Sequence, residues 1–193
     1  MRLSHAEFTA MNHPLRRFVQ KHLEFRNFQS LGLVDKQRNI IEIGCGSGYG
    51  AVLLSTLQPK TYLGIDLMPE QIALAGKWHL PGCEFKTMDA SDMADIPSGS
   101  KDIIVIFGIL HHIPAWRNVL SECRRVLACG GRLFAEEPDG NIVRCFDKLF
   151  HWRHPNADFS LEAFEREMLR CGFEIVQKRK FAGFGTYAAR LPQ

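Results

Sequence analysis

Asn39-Ile40-Ile41-Glu42-Ile43-Gly44-Cys45-Gly46-Ser47-Gly48-Tyr49 decides how this 193-residue chain folds. An isoleucine-rich run reads as a buried strand, a glycine-rich turn follows, and a helix is expected from residue 49 to about 57. Such a turn lets the backbone approach a ligand closely and aims helix N-terminal amides at it. It is not a phosphate-cradling P-loop, because G-x-x-x-x-G-K-S/T occurs nowhere in the chain. It also does not complete the dinucleotide fingerprint G-x-G-x-x-G, since Tyr49 stands where the third glycine would pack helix against strand. The chain reads Gly44-x-Gly46-x-Gly48, with Glu42 two places before the first glycine.

Outward from this turn, short apolar runs alternate with amphipathic stretches, the pattern of a parallel sheet covered by helices. Residues 61–65 read as a second strand, a helix starts at Pro69, and residues 83–87 read as a third strand. Residues 102–107 are apolar and β-branched without alternation, as a central strand buried on both faces should be. The next helix carries Trp116, Val119, Leu120, Cys123, Val126 and Leu127 on one face, and Gly130-Gly131 is expected to end it. Residues 132–136 read as strand five, and 138 to about 158 as a long irregular stretch. Ser160 is placed to cap a helix bearing Leu161, Phe164, Met168 and Leu169, which Gly172 stops. Residues 173–181 and 184–190 then pair around Gly183. Upstream, Pro14 suits a first helical turn, and a helix to about residue 30 would use Leu15, Phe18, Val19, Leu23 and Phe28 as its stripe. The expected fold is α/β: Rossmann-like and doubly wound, with a mostly parallel seven-stranded sheet, an antiparallel last strand and helices on both faces. A single domain would fill residues 1–193, with a helical cap over 1–38, a cofactor-binding half over 39–137, and the substrate-side loop, late helix and closing strands over 138–193.

Glu42-Ile43-Gly44-Cys45-Gly46-Ser47-Gly48 resembles the first motif of class I S-adenosylmethionine-dependent methyltransferases, and further matches follow in the family's order. The resemblance implies that Gly44, Cys45, Gly46 and Gly48 pass beneath the methionine part of the cofactor, while Glu42 helps to hold the loop and the amino group. Asp66, after Leu63-Gly64-Ile65, stands where a nucleoside-binding sheet puts an acid to accept both ribose hydroxyls. Leu67 and Met68 resemble the apolar residues that pack on adenine. Asp89 matches the acid that accepts a hydrogen bond from the adenine amino group, and the amide of Ala90 contacts the ring. Ile106-Phe107-Gly108-Ile109-Leu110-His111-His112 is similar to the fourth strand end of the ubiquinone and menaquinone biosynthesis type. Carbonyls around Phe107 and Gly108 would there receive the methionine ammonium. Arg124 to Leu133 resembles the family's arginine-valine-leucine helix end before a Gly-Gly turn, with Ala128 and Cys129 replacing the customary Lys and Pro.

Composition limits the alternatives. A hydrophobic share of 46% and a charged share of 23% are those of a globular protein. The longest apolar run, residues 103–110, is far below the roughly 20 residues a spanning helix needs. The first residues show no apolar secretory segment, so a cytoplasmic setting without a membrane span is expected. Six scattered cysteines, none at C-x-x-C spacing, form neither a disulfide framework nor a zinc site, and no metal is expected. A net charge of +3 suits anionic small molecules and is too weak to indicate nucleic acid.

The expected reaction is in-line methyl transfer from S-adenosyl-L-methionine to a small-molecule acceptor, releasing S-adenosylhomocysteine, by a monomer or homodimer. His111 and His112 are the candidate catalytic residues, as general base or as groups that order the acceptor. His112 is expected to serve the acceptor rather than the cofactor. Met11-Asn12-His13 and the 138–158 stretch, with Phe146, Phe150, His151, Trp152, Arg153 and His154, would close the acceptor pocket around a flat or anionic molecule. Two rivals stay open: a catalytically silent S-adenosylmethionine-binding protein, and a nicotinamide-dependent oxidoreductase, with which Tyr49 conflicts.

Overall fold

The structure is a computed structural model that describes residues 5–150 and 159–192. Its sheet has seven strands in the order β3-β2-β1-β4-β5-β7-β6. These are β1 (Asn39–Ile43), β2 (Thr61–Asp66), β3 (Cys83–Thr87), β4 (Lys101–Phe107), β5 (Leu127–Pro138), β6 (Glu174–Phe181) and β7 (Phe184–Arg190). The pairs from β3 through β5 are parallel, and β7 runs antiparallel to both β5 and β6. The strand order reverses beside β1, so a crevice opens at the carboxyl ends of β1 and β4, where doubly wound sheets bind ligands.

Strand β4 shows why alternation vanished from the sequence. Ile104 and Ile106 pack on one face, while Ile103, Val105 and Phe107 pack on the other, and all are buried. The first face is covered by α6 (Trp116–Val126) and α8 (Leu161–Arg170), through Trp116, Val119, Leu120, Cys123, Phe164 and Met168. The second is covered by α4 (Tyr49–Ser55), through Ala51, Leu53 and Leu54, together with Phe25 and Phe28. Ser160 caps α8 as expected, its Oγ accepting the Ala163 amide at 3.1 Å. The β6–β7 turn has both central residues, Ala182 and Gly183, at positive φ, the backbone that matches the strand twist.

Several boundaries differ from expectation. The N-terminal helix is not one amphipathic rod. A first helix, α1 (His5–Met11), precedes α2 (Pro14–Val19), which runs through a π-helical turn (Gln20–Phe25) into α3 (Arg26–Ser30). The wider turn shifts the helical phase, so Leu15, Phe18 and Leu23 face outward while Phe25 and Phe28 are buried. Helix α6 stops at Val126, before Gly130-Gly131, because Leu127 already pairs with Lys101 in β5. The glycines lie instead where the β4–β5 register shifts between Lys101 and Ile103.

Residues 138–158 are not irregular throughout. Helix α7 (Gly140–Phe150) forms there, started by Asp139, whose Oδ1 accepts the Asn141 amide at 3.0 Å. The Pro-Asp-Gly turn signal masked a helical spacing of Ile142, Val143 and Phe146. His151, Trp152, Arg153 and His154 lie outside the described residues. No helix among the described residues is long and apolar enough to cross a membrane.

Candidate functional site

The site begins at the turn after β1. Gly44, at φ +68°, could not carry a Cβ, which would come within 2.6 Å of the Ile109 side chain. Gly46 is open, with nothing within 4 Å of where its Cβ would be. The loop is fixed from several sides: the Cys45 amide donates to the Ile65 carbonyl at 2.9 Å, and Trp78 Nε1 donates to the Ser47 carbonyl at 2.8 Å. Asp66, at the end of β2, accepts the Gly46 amide on Oδ2 at 3.0 Å and the Met68 amide on Oδ1 at 2.9 Å. Each carboxylate oxygen keeps further acceptor capacity for a ligand hydroxyl. Burial raises the Asp66 carboxyl, while those two amides pull it back down.

Glu42 stands behind the turn, from where it braces the loop. It is 1% exposed, accepts the Tyr62 hydroxyl at 2.5 Å, and lies against the backbone of Gly50. Burial pushes its carboxyl up to about 8. Glu42 therefore joins β1, β2 and the start of α4 from inside, and it does not line the cavity described next.

Asp66, Leu67, Met68, Met88, Asp89, Ala90, Ile109, His112 and Ile113 surround a cavity of about 330 Å³ that reaches Gly44. That volume is in the range of small-molecule sites. Asp89 is an exposed wall residue whose Oδ1 accepts the amide and hydroxyl of Ser91 at 2.8 and 2.7 Å. Two acids with apolar walls suit a nucleoside: carboxylates for hydroxyl and amino groups, Leu67, Met68 and Ile113 for the flat base. Of the other expected cofactor residues, Cys45 is buried beside Gly64 and Phe107 packs on Phe28 at 5.1 Å. Gly48, at the start of α4, abuts Ala75 of α5 (Pro69–Ala75), and neither Gly46 nor Gly48 lines the cavity.

A second cavity of about 200 Å³ adjoins the first through His112. Its lining includes Met11, Arg16, Glu24, Gly108, His111, Glu136 and Phe146. Both histidines are buried, with ring centroids 4.2 Å apart. His112 faces both cavities. His111 faces the second only, and its Nδ1 lies 2.9 Å from Glu137 Oε2. Glu137 is fully buried and also accepts the amides of Ile109 and Leu110 at 3.0 and 2.8 Å. Burial drives this carboxyl up to about 8, against the pull of the Leu110, Ile109 and His111 amides.

Sequence reasoning missed Glu137, Glu136 and Glu24. Adjacent glutamates at the end of an apolar strand are a legible signal, because buried charge is tolerated only where it is paired. Glu24 had no such signal, since only the π-helical turn brings it inward.

Comparison with known proteins agrees with this geometry. Residues 41–135 match the family described as "Methyltransferase domain". A phthiotriol/phenolphthiotriol dimycocerosates methyltransferase of Mycobacterium leprae is 39% identical over 127 residues, covering 65% of this chain and 45% of the relative. The chain spans between 35% and 52% of the length of such curated relatives. Among solved structures, a methyltransferase dependent on S-adenosylmethionine from Aquifex aeolicus shares the fold with a TM-score of 0.77 at 16% identity, over 97% of this chain and 99% of that one. Another from Mesorhizobium loti gives 0.74 at 16% identity, over 86% and 97%. Residues 41–135 thus carry a methyltransferase domain match, and the sheet around them has the fold of S-adenosylmethionine-dependent methyltransferases.

Proposed function

We propose that this chain catalyses methyl transfer from S-adenosylmethionine to a small-molecule acceptor. The observation that carries this reading is the junction at His112 between the cavity walled by Asp66 and Asp89 and the second cavity. Asp66 is directed to the ribose hydroxyls and Asp89 to the adenine amino group, with Leu67, Met68 and the Ala90 amide on the ring. Gly44, Cys45, Gly46 and Gly48 form the backbone under the methionine part, Glu42 stiffens that turn from behind, and carbonyls near Phe107 and Gly108 receive the ammonium.

The bound cofactor supplies a methyl group already activated by its positive sulfur. The chain must then orient the acceptor, exclude water and receive a proton where the acceptor carries one. Orientation alone can be worth about 7–11 kcal/mol in the best intramolecular cases. His111 is the base in this scheme: Glu137 fixes its Nδ1, and the ring borders the acceptor-side cavity. His112 lies at the boundary and keeps cofactor and acceptor aligned.

The small-molecule assignment is supported by the M. leprae relative, which is named for phthiotriol and phenolphthiotriol dimycocerosates. The same reading takes the chain as one unit, with residues 1–38 and 138–193 closing the acceptor side over a 39–137 cofactor half. It acts on metabolites rather than nucleic acid, as a monomer or homodimer. Six free cysteines favour a reducing, cytoplasmic setting. Calorimetry with S-adenosylhomocysteine and NAD, followed by methyl transfer to a metabolite panel, tests the proposal. Tight NAD binding with none for S-adenosylhomocysteine would overturn it.

A further inference from the structure

A third cavity, of about 450 Å³, continues from the acceptor-side one, and Val19, Glu24, Glu136 and Phe184 line both. Its remaining wall includes Leu23, Phe181 and Ala182, with Arg179 at the rim donating to Ser30 Oγ at 2.8 Å. Phe181 is 84% exposed and Leu23 57%, large apolar surfaces left at the mouth of a cavity.

Glu24 and Glu136 meet where the two cavities join. They are only 8% and 6% exposed and are hydrogen-bonded carboxyl to carboxyl. Glu24 reaches this place because the π-helical turn carries it inward, and single π turns recur at functional sites. Arg16 Nη1 lies 2.9 Å from Glu24 Oε1. Burial raises both carboxyls, that of Glu136 well above the usual range, so one proton is held between them. Two carboxyls sharing a proton beside one guanidinium sum to zero charge. At the junction itself nothing remains to attract an ammonium, and Arg16, the guanidinium there, is already paired with Glu24, while Arg179 stands at the outer rim. A neutral hydroxyl fits, since it can donate to one carboxyl oxygen and accept from the shared proton. Among the described residues, the other charged or titratable groups facing these cavities are Arg179, at the outer rim on Ser30, and His111 and His112 on the cofactor side, with Glu137 behind them held by the loop amides.

We propose that Glu24 and Glu136 are the polar anchor of the acceptor site. They bind the hydroxyl of a neutral molecule whose apolar body lies in the cavity walled by Leu23, Phe181 and Phe184. This rests on the methyl-transfer reading above and adds to it the chemical class of the acceptor and the residues that select it.

The test is calorimetry on the chain saturated with S-adenosylhomocysteine, using 1-octanol, octanoic acid and octylamine as probes. We expect 1-octanol to bind about tenfold more tightly than either charged probe. Glu136→Met should weaken 1-octanol by a similar factor of about ten and leave the charged probes unchanged. Leu23→Trp, at an exposed position where folding is not at stake, should weaken all three probes by filling the apolar wall. Octylamine or octanoate binding as well as 1-octanol overturns the inference, as does Glu136→Met binding 1-octanol like the parent, or Leu23→Trp changing nothing. Failure to bind S-adenosylhomocysteine overturns the methyl-transfer reading itself; binding it without discriminating among the probes overturns only this inference.

Discussion

His111 Nδ1 lies 2.9 Å from Glu137 Oε2, and the same carboxylate holds the amides of Ile109 and Leu110. One buried acid thus fixes both the shape of the loop after β4 and the orientation of the imidazole on it. Because His111 borders the acceptor-side cavity and not the cofactor cavity, the two functions should separate in a variant. His111→Ala should lower turnover by about 10²–10⁴-fold, the usual worth of a positioned base. Affinity for S-adenosylhomocysteine should stay within about threefold of the parent, a difference under 1 kcal/mol. Steady-state kinetics and calorimetry on one preparation check both, and equal losses in the two would remove His111 from the base role.

Asp66 should behave in the opposite way. Asp66→Asn removes the charge that accepts the Gly46 and Met68 amides and faces the cofactor cavity. Losing a charge-assisted hydrogen bond costs about 1.5–3 kcal/mol, or roughly 10–100-fold in affinity. Calorimetry with S-adenosylhomocysteine should read that loss.

Gly50 offers a stability test in which the sign is informative. Gly→Ala inside a helix ordinarily stabilises by about 1 kcal/mol. Here the new Cβ would collide with the Glu42 carboxylate, so Gly50→Ala should destabilise by about 1–3 kcal/mol. Combining it with Glu42→Ala should recover part of the loss, giving a coupling of about 1 kcal/mol or more in a urea-denaturation cycle. Additivity of the two changes would show that the packing at Glu42 and Gly50 is not as described.

Glu42 also sets a pH dependence. Its carboxyl is raised from 4.5 to about 8 in the folded protein, so between those values the folded state holds a proton that the unfolded state has released. Stability is then greatest below about pH 4.5 as far as this group is concerned, and falls as pH rises toward 8, by on the order of a few kcal/mol. Glu137, also raised to about 8, adds in the same direction. Glu42→Gln keeps an acceptor for the Tyr62 hydroxyl and cannot ionise. Its urea midpoint should therefore drop less between pH 6 and 9 than that of the parent chain, and an identical drop would count against a neutral Glu42.

Much of the fold could be read from residues because its signals are local or periodic. The stretch from Asn39 to Tyr49, the unalternating run in β4, the stripe of α6 and the Ser160 cap each carry their own physical cause. Where reading failed, two causes competed over the same residues. The Pro138-Asp139-Gly140 turn signal outweighed the short apolar spacing of α7, and the π-helical turn broke the period that assigned Leu15, Phe18 and Leu23 to a buried face.

The sequence by itself determined the sheet, its glycine-rich turn and the order of the acids Asp66 and Asp89 along the chain. Hydrophobic period and turn chemistry act between near neighbours, so they are written in the order of residues. Only the tertiary structure decided that Glu42 supports the turn from behind, that Glu137 orients His111, and that Glu24 meets Glu136. Those pairings join elements far apart in the chain, and burial, which raises these carboxyls and makes a partner obligatory, exists only once the elements have packed.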